Sequence, residues 1–147
     1  MAHEWRQGEY TVSDDPSRLD LGIVHGFLSR ESYWARGRSR GRVERSIVNS
    51  LPFGVYRGDG RQVGFARVVT DRATFAWLAD VFVVPEERGR GLSKWLVECV
   101  LAHPELQGLR RWLLATRDAQ ELYRRYGFAE TTDAKTVYME KFDPSVV

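Results

Sequence analysis

Apolar and polar positions along the chain change period several times, and each change marks an element. Residues 10–12 read as a short first strand, closed by Ser13-Asp14-Asp15-Pro16. That cluster reads as a turn into a helix, because Ser, Asp and Pro suit a helix's first positions. Over 20–28, Ile23, Val24, Phe27 and Leu28 fall at helical spacing, and over 43–51 Val43, Ile47 and Leu51 recur at every fourth position. After Pro52 the period drops to two. Residues 53–57 and 62–70 then read as a hairpin around Gly58-Asp59-Gly60, and a turn at 71–73 leads to a third strand over 74–84.

The stretch over 77–96, W-L-A-D-V-F-V-V-P-E-E-R-G-R-G-L-S-K-W-L, organises the rest. It opens as a buried strand that Pro85 ends for want of an N–H. From Gly91 the spacing is helical, with Leu92, Trp95, Leu96, Cys99 and Val100 on one apolar stripe. His103-Pro104 marks the exit, 111–116 (R-W-L-L-A-T) reads as another buried strand, and 119–126 as a short helix stopped by Gly127. Phe128 and then 136–142 (T-V-Y-M-E-K-F) predict one or two final strands. The order β-α-α-β-β-β-α-β-α-β predicts one α/β (α+β) domain over 1–147. Its sheet is mixed, antiparallel first and parallel across the later strand–helix–strand crossover. The glycine turn aims the free N–H groups of a helix start beyond the strand's end, which suits an anion such as a pyrophosphate.

Composition narrows this picture. The 147 residues are 43% hydrophobic and 29% charged, ordinary for a globular chain. A net charge of +2 is not the dense basic footprint of a phosphate-backbone binder, so nucleic acid is not expected as a partner. The single cysteine lies on the apolar stripe and reads as a small buried hydrophobe. No apolar run has the length of a membrane span and the start lacks a signal peptide's apolar region, so a cytoplasmic setting is expected. His3, His25 and His103 lie far apart and share no ligand spacing with Cys99, so no metal is expected.

Two places bear on chemistry without a motif. Between 29 and 45 the chain reads S-Y-W-A-R-G-R-S-R-G-R, and Gly37 and Gly41 are expected to break any helix there. It is either a solvated connector or a substrate-side loop, with Tyr33 and Trp34 as a wall and arginines such as Arg38 binding an acidic group. Asp80 is the only charge between 74 and 84. Apolar surroundings would raise its pKa toward that of a useful base. It reads equally as a direct base, a base acting through water, or a structural anchor.

Arg88-Gly89-Arg90-Gly91 is neither a dinucleotide fingerprint nor a P-loop, since the third glycine and the Gly-Lys-Ser/Thr ending are absent. In its strand-to-helix context, P-E-E-R-G-R-G-L-S resembles the acyl-coenzyme A signature of the GNAT superfamily of N-acetyltransferases, Arg/Gln-x-x-Gly-x-Gly/Ala. Arg88, Gly91 and Ser93 occupy its defined positions, Ser93 replacing the usual Gly or Ala. Ala119-x-x-x-Tyr123-x-x-x-Gly127-Phe128 is similar to that family's later motif, with Thr116 where many members carry asparagine. The resemblance implies a sheet of six to seven strands with helices on both faces. It also implies acetyl-CoA held by the backbone of Arg88, Gly89, Arg90, Gly91, Leu92 and Ser93, its pantetheine arm beside Phe82, Val83 and Val84. The reaction implied is direct transfer of acetyl to a primary amine of a small molecule or peptide, with Tyr123 as general acid. Tyr123 also fits an apolar helix face with Leu122 and Tyr126, so packing is its other reading. Dimers are common in such families. The alternative function is an acyl-CoA-binding sensor without turnover.

Overall fold

The computed structural model, which describes residues 1–131 and 135–147, begins its sheet with a strand that periodicity does not announce. Strand β1 (Glu4–Gln7) pairs antiparallel with β2 (Tyr10–Ser13) across Gly8, whose φ of 59° suits a residue without Cβ. Its sequence, E-W-R-Q, is mostly charged and exposed, so no apolar alternation marks it. Strands β3 (Leu51–Tyr56), β4 (Gln62–Thr70) and β5 (Phe75–Val83) follow as the expected meander, and β6 (Arg111–Leu113) pairs parallel with β5. The sheet is six-stranded in the order β1-β2-β3-β4-β5-β6. Every residue of β3 is buried, which requires cover on both faces.

Among the described residues four α-helices accompany the sheet. Helix α1 (Leu21–Gly26) starts at Asp20, whose side chain accepts from the Ile23 N–H, and α2 (Arg40–Val48) starts at Ser39, which accepts from the Arg42 N–H. Gly41 therefore lies inside a helix rather than breaking one, because the Ser39 cap outweighs its modest propensity cost. Leu51, expected at the end of that helix, instead opens β3. Between α1 and α2 a wide turn over Phe27–Glu31 closes with the Ser32 N–H on the Phe27 carbonyl. Helix α3 (Leu92–Leu101) buries Leu92, Trp95, Leu96, Cys99 and Val100, the stripe read from sequence. Burial pushes the Cys99 thiol up to about 12, as expected of an inert packed side chain. Helix α4 (Gln120–Arg124) is shorter than its apolar pattern suggests. No helix among the described residues is long and apolar enough to cross a membrane.

Two expectations fail at the C-terminal side. The buried strand expected over 111–116 shortens to β6 and is only half-buried, and 136–142 forms no strand, its residues being exposed. Strand propensity is not enough without a hydrogen-bonded neighbour, and β6 has one on a single side.

At the opposite edge, a buried polar cluster joins the β1–β2 hairpin to the end of α3. Asp14 Oδ2 accepts from His3 Nδ1 at 2.8 Å and from His103 Nε2 at 2.7 Å, while Asp14 Oδ1 accepts from the His3 N–H at 2.6 Å. Burial opposes the charged form, but the His3 and His103 donors outweigh it and hold Asp14 below the usual carboxylate range. Its stabilisation is therefore present above the unfolded pKa of about 3.9 and is lost as pH falls through the lower folded value. Asp14→Asn should cost about 1–3 kcal/mol in urea melts at pH 7, because one buried donor loses its acceptor. The gap from the parent should narrow at pH 3, and a gap independent of pH would overturn the assignment.

Candidate functional site

Strands β5 and β6 share only three residue pairs, Phe75↔Arg111, Ala76↔Trp112 and Trp77↔Leu113, and then part. The cause lies on the other side of β5. Its register with β4 runs Phe65↔Phe82 but Arg67↔Ala79, so one residue of β4 faces two of β5. This bulge centres on Asp80, which has a left-handed φ of 55°, a conformation Asp and Asn tolerate better than most residues. Beyond it Gly64 lies so close to β5 that an added Cβ would sit 3.0 Å from the Phe82 carbonyl oxygen and 2.9 Å from Val55 Cγ2. Phe82 in turn stacks on Phe27, with centroids 4.0 Å apart and planes 8° from parallel.

The Asp80 carboxylate is buried and fully engaged. Trp34 Nε1 donates to Oδ1 at 2.8 Å, Arg67 Nε to Oδ2 at 2.7 Å, and Arg38 Nη1 lies 3.3 and 3.2 Å from the two oxygens. Arg67 also donates to Ser50 Oγ. Two residues expected on the acceptor side, Trp34 and Arg38, thus meet the candidate base. The third, Tyr33, turns to the far side of the cleft, where its hydroxyl accepts from the Arg117 N–H at 3.0 Å and its ring lies under the Arg117 guanidinium at 3.8 Å. Tyr33 and Trp34 contact edge to face at 5.0 Å and are 40% and 38% exposed, an aromatic pair open to a ligand. The loop carrying them is built in: Ala35 is fully buried, Gly37 N–H donates to the Ser29 carbonyl, and His25 Nε2 meets the Arg38 carbonyl at 3.1 Å.

At the end of β5, Val83 and Val84 are buried and the chain turns through Pro85–Glu87 into exposed Arg88, Gly89, Arg90 and Gly91. Gly89 and Gly91 have φ of 81° and 77°, and a Cβ at either would meet nothing within 4 Å, so glycine is required by backbone angle rather than by crowding. Gly91 caps α3 without any side-chain acceptor, leaving the first helical N–H groups directed past the strand end. Leu92 is buried and faces the core; Ser93 is half-buried on the first turn. Arg88 Nε donates to the Val83 carbonyl at 3.1 Å, which orients its guanidinium at the strand end. Glu87, which sequence reading did not single out, anchors the loop: it is buried and accepts from the Tyr10 hydroxyl at 2.5 Å and from Arg57 at 2.9 Å. The Tyr10 hydroxyl and then Arg57 hold its carboxyl below the ordinary range. Arg90 reaches the same pair, 3.4 Å from the Tyr10 hydroxyl.

Tyr123 lines a cavity of about 750 Å³ with Thr116, Gln120, Tyr126 and Phe128. Burial first, and then the Tyr33 phenol, push its pKa up to about 12, so its hydroxyl keeps its proton at neutral pH. Loop 88–93 does not line that cavity, but α3 and α4 are tied together, the Tyr126 hydroxyl lying 3.0 Å from Glu98 Oε1 and 3.2 Å from the Lys94 carbonyl. Thr116 Oγ1 accepts from the Ala119 N–H at 3.0 Å and so caps the approach to α4. Arg67 carried a readable signal, a lone charge in an apolar strand like Asp80, whereas Glu87 had nothing to separate it from Glu86.

Among the described residues, one group could converge on a metal: His3, Asp14 and His103, with ligand atoms within 4.8 Å of one another. Their sequence separation hid this meeting. His103 Nδ1 accepts from the Glu105 N–H, so the ring proton sits on Nε2 and points at Asp14. In this arrangement the three side chains form a closed hydrogen-bond set.

A family model described as an acetyltransferase (GNAT) domain matches residues 49–130. A crystal structure from Xanthomonas campestris pv. campestris, described as an acetyltransferase of the GNAT family, is 51% identical, covers 95% of this chain and 96% of that one, and superposes with a TM-score of 0.88. A Gibberella zeae protein described as an acetyltransferase is 32% identical over 140 residues, 81% of this chain and 78% of its own. Serotonin N-acetyltransferase 2, chloroplastic, of Oryza sativa subsp. japonica is 30% identical over 128 residues, 85% of this chain; the match spans 64% of that enzyme's length.

The Asp80 cluster generates its own test. Asn at position 80 keeps the left-handed backbone but removes the charge that pairs Arg38 and Arg67. Asp80→Asn should destabilise the fold by about 3–5 kcal/mol, the cost of stranding buried partners. A loss below about 1 kcal/mol in urea melts would mean that the cluster behaves as a solvated surface pair.

Proposed function

The chain belongs to the GNAT acetyltransferase family, and from that premise we propose that it transfers acetyl from acetyl-CoA directly to a primary amine of a small molecule or peptide. Acetyl-CoA would supply the thioester. The uncapped start of α3 and the left-handed Gly89 and Gly91 offer backbone donors suited to its pyrophosphate. The parting of β5 from β6 leaves strand backbone beyond Trp77 without a β6 partner, which suits the amides of an extended pantetheine arm.

The observation that carries the reading is Tyr123. Amine attack on a thioester needs a proton for the departing thiolate, and a protonated phenol on the wall of a cavity can give one. Asp80 enters as a positioning residue. Its carboxylate oxygens already accept from two arginines and a tryptophan, and its role is to hold Trp34 and Arg38 on the acceptor side. Because Arg38 is paired, the exposed Tyr33–Trp34 pair is the better recognition element, and it favours an aromatic amine over an acidic one. The rice relative's name, serotonin N-acetyltransferase, agrees with that choice.

Tyr123→Phe should lower kcat by about 10²–10⁴-fold while leaving CoA affinity unchanged, the range ordinary for loss of a general acid. Undiminished turnover in thiol-release assays would return Tyr123 to a packing role. In an amine panel, arylalkylamines should exceed acidic amines and polyamines in kcat/KM; a polyamine preference would sink the aromatic assignment.

A further inference from the structure

The helix that carries Tyr123 is too short to hold itself in place. Helix α4 has five residues and follows β6 of three, with neither helix nor strand over 114–119 between them. Elements of that length owe their position to tertiary contacts. On one side Tyr126 ties α4 to α3. The other tie crosses the cleft. The Arg117 N–H donates not to backbone but to the Tyr33 hydroxyl at 3.0 Å, 84 positions earlier in the chain. The same residue is held at its other end, because the Arg117 carbonyl accepts from Gln120 Nε2 at 3.1 Å. Gln120 opens α4 one turn ahead of Tyr123, and both line the cavity. A line of hydrogen bonds therefore runs from the Tyr33 hydroxyl through the Arg117 backbone and the Gln120 side chain to the helix of Tyr123.

Tyr33 can serve as a fixed point because its neighbours are locked. Ser32 is buried, donates to the Leu28 carbonyl and accepts from the Ala35 N–H, while Trp34 is held on Asp80 at 2.8 Å. The two phenols also sense each other, since Tyr33 follows burial among the causes that raise the pKa of Tyr123. We propose that Tyr33 is a positioning residue for Tyr123: its hydroxyl fixes the loop ahead of α4, so the proton donor is in place only when the acceptor loop is seated. The inference rests on the acetyl-transfer reading with Tyr123 as the acid. It divides Tyr33 into two separable parts, a ring that faces the acceptor and a hydroxyl that holds the acid's loop. Phenylalanine keeps the ring, with the Arg117 guanidinium 3.8 Å above it, and removes the hydroxyl. Arg117 is exposed, so water can take its freed N–H and the fold is retained.

Tyr33→Phe should lower kcat by about 3–10-fold, the factor that one net hydrogen bond carries. KM for acetyl-CoA and for an arylalkylamine such as phenethylamine should stay at the parent's value. In a Tyr123→Phe background the same substitution should cost nothing further, as expected when one residue acts only through the other. Hydrogen exchange reads the link without turnover: the Arg117 amide should exchange faster in Tyr33→Phe than in the parent, and the amides of α4 should follow it. An unchanged kcat, a loss confined to KM, or a loss that persists in full without the Tyr123 hydroxyl overturns the proposal. So does exchange at Arg117 that keeps the parent's rate. Undiminished turnover in Tyr123→Phe alone is a separate result, which removes the acid assignment and this inference with it.

Discussion

A single carboxylate holds the working end of this molecule together. Asp80 sits at a left-handed residue in a bulge, and its oxygens gather Arg67 from the neighbouring strand and Trp34 and Arg38 from a distant loop. The bulge and the parting of β5 from β6 occur within a few residues of each other, so the device that opens the cleft also fastens the loop beside it. Because that loop continues to Tyr33, which reaches Arg117 just before α4, the two walls of the cleft are linked across its mouth.

The same logic recurs at two other buried carboxylates. Glu87 is held by Tyr10 and Arg57, from β2 and from just beyond β3, so the glycine loop ahead of α3 is fixed from the side of the meander. Asp14 joins the amino-terminal hairpin to the end of α3 through two histidines. Buried charges are costly to remove from water, and each of the three is compensated by several donors from separate parts of the chain. They therefore act as position markers in a core that is otherwise aliphatic and aromatic. Side chains cap α1, α2 and the approach to α4, while α3 begins at a bare left-handed glycine, so the donors left free face the proposed ligand.

Much of the fold was legible because its signals are local. Period-two alternation marked the meander, period 3.6 marked α3 and its buried Cys99, and Arg88-Gly89-Arg90-Gly91 announced the turn that needs left-handed residues. The misses have equally local causes. Strand β1 is charged and exposed, so it owes its existence to pairing with β2 rather than to any pattern of its own. Gly41 read as a breaker because the influence of Ser39 as a cap is felt only once the loop before it is in place. Residues 136–142 have the composition of a strand, but a strand is a relation between two segments, and among the described residues this one pairs with no strand of the sheet.

By itself the sequence marked the meander, the glycine turn ahead of α3 and the apolar stripe of α3, all set by spacing within a few residues, while Tyr123 entered as the candidate acid through the family resemblance. Only the tertiary structure decided which partners the charges meet. Asp80 reads from sequence as a direct base, a base acting through water or an anchor, and the fold adds that Trp34, Arg38 and Arg67 converge on it, while His3 and His103 looked unrelated until both were found on Asp14. Side-chain type states what a group can do. Which of those things it does depends on its partners, and contacts between residues far apart in the chain are set by packing of the whole sheet.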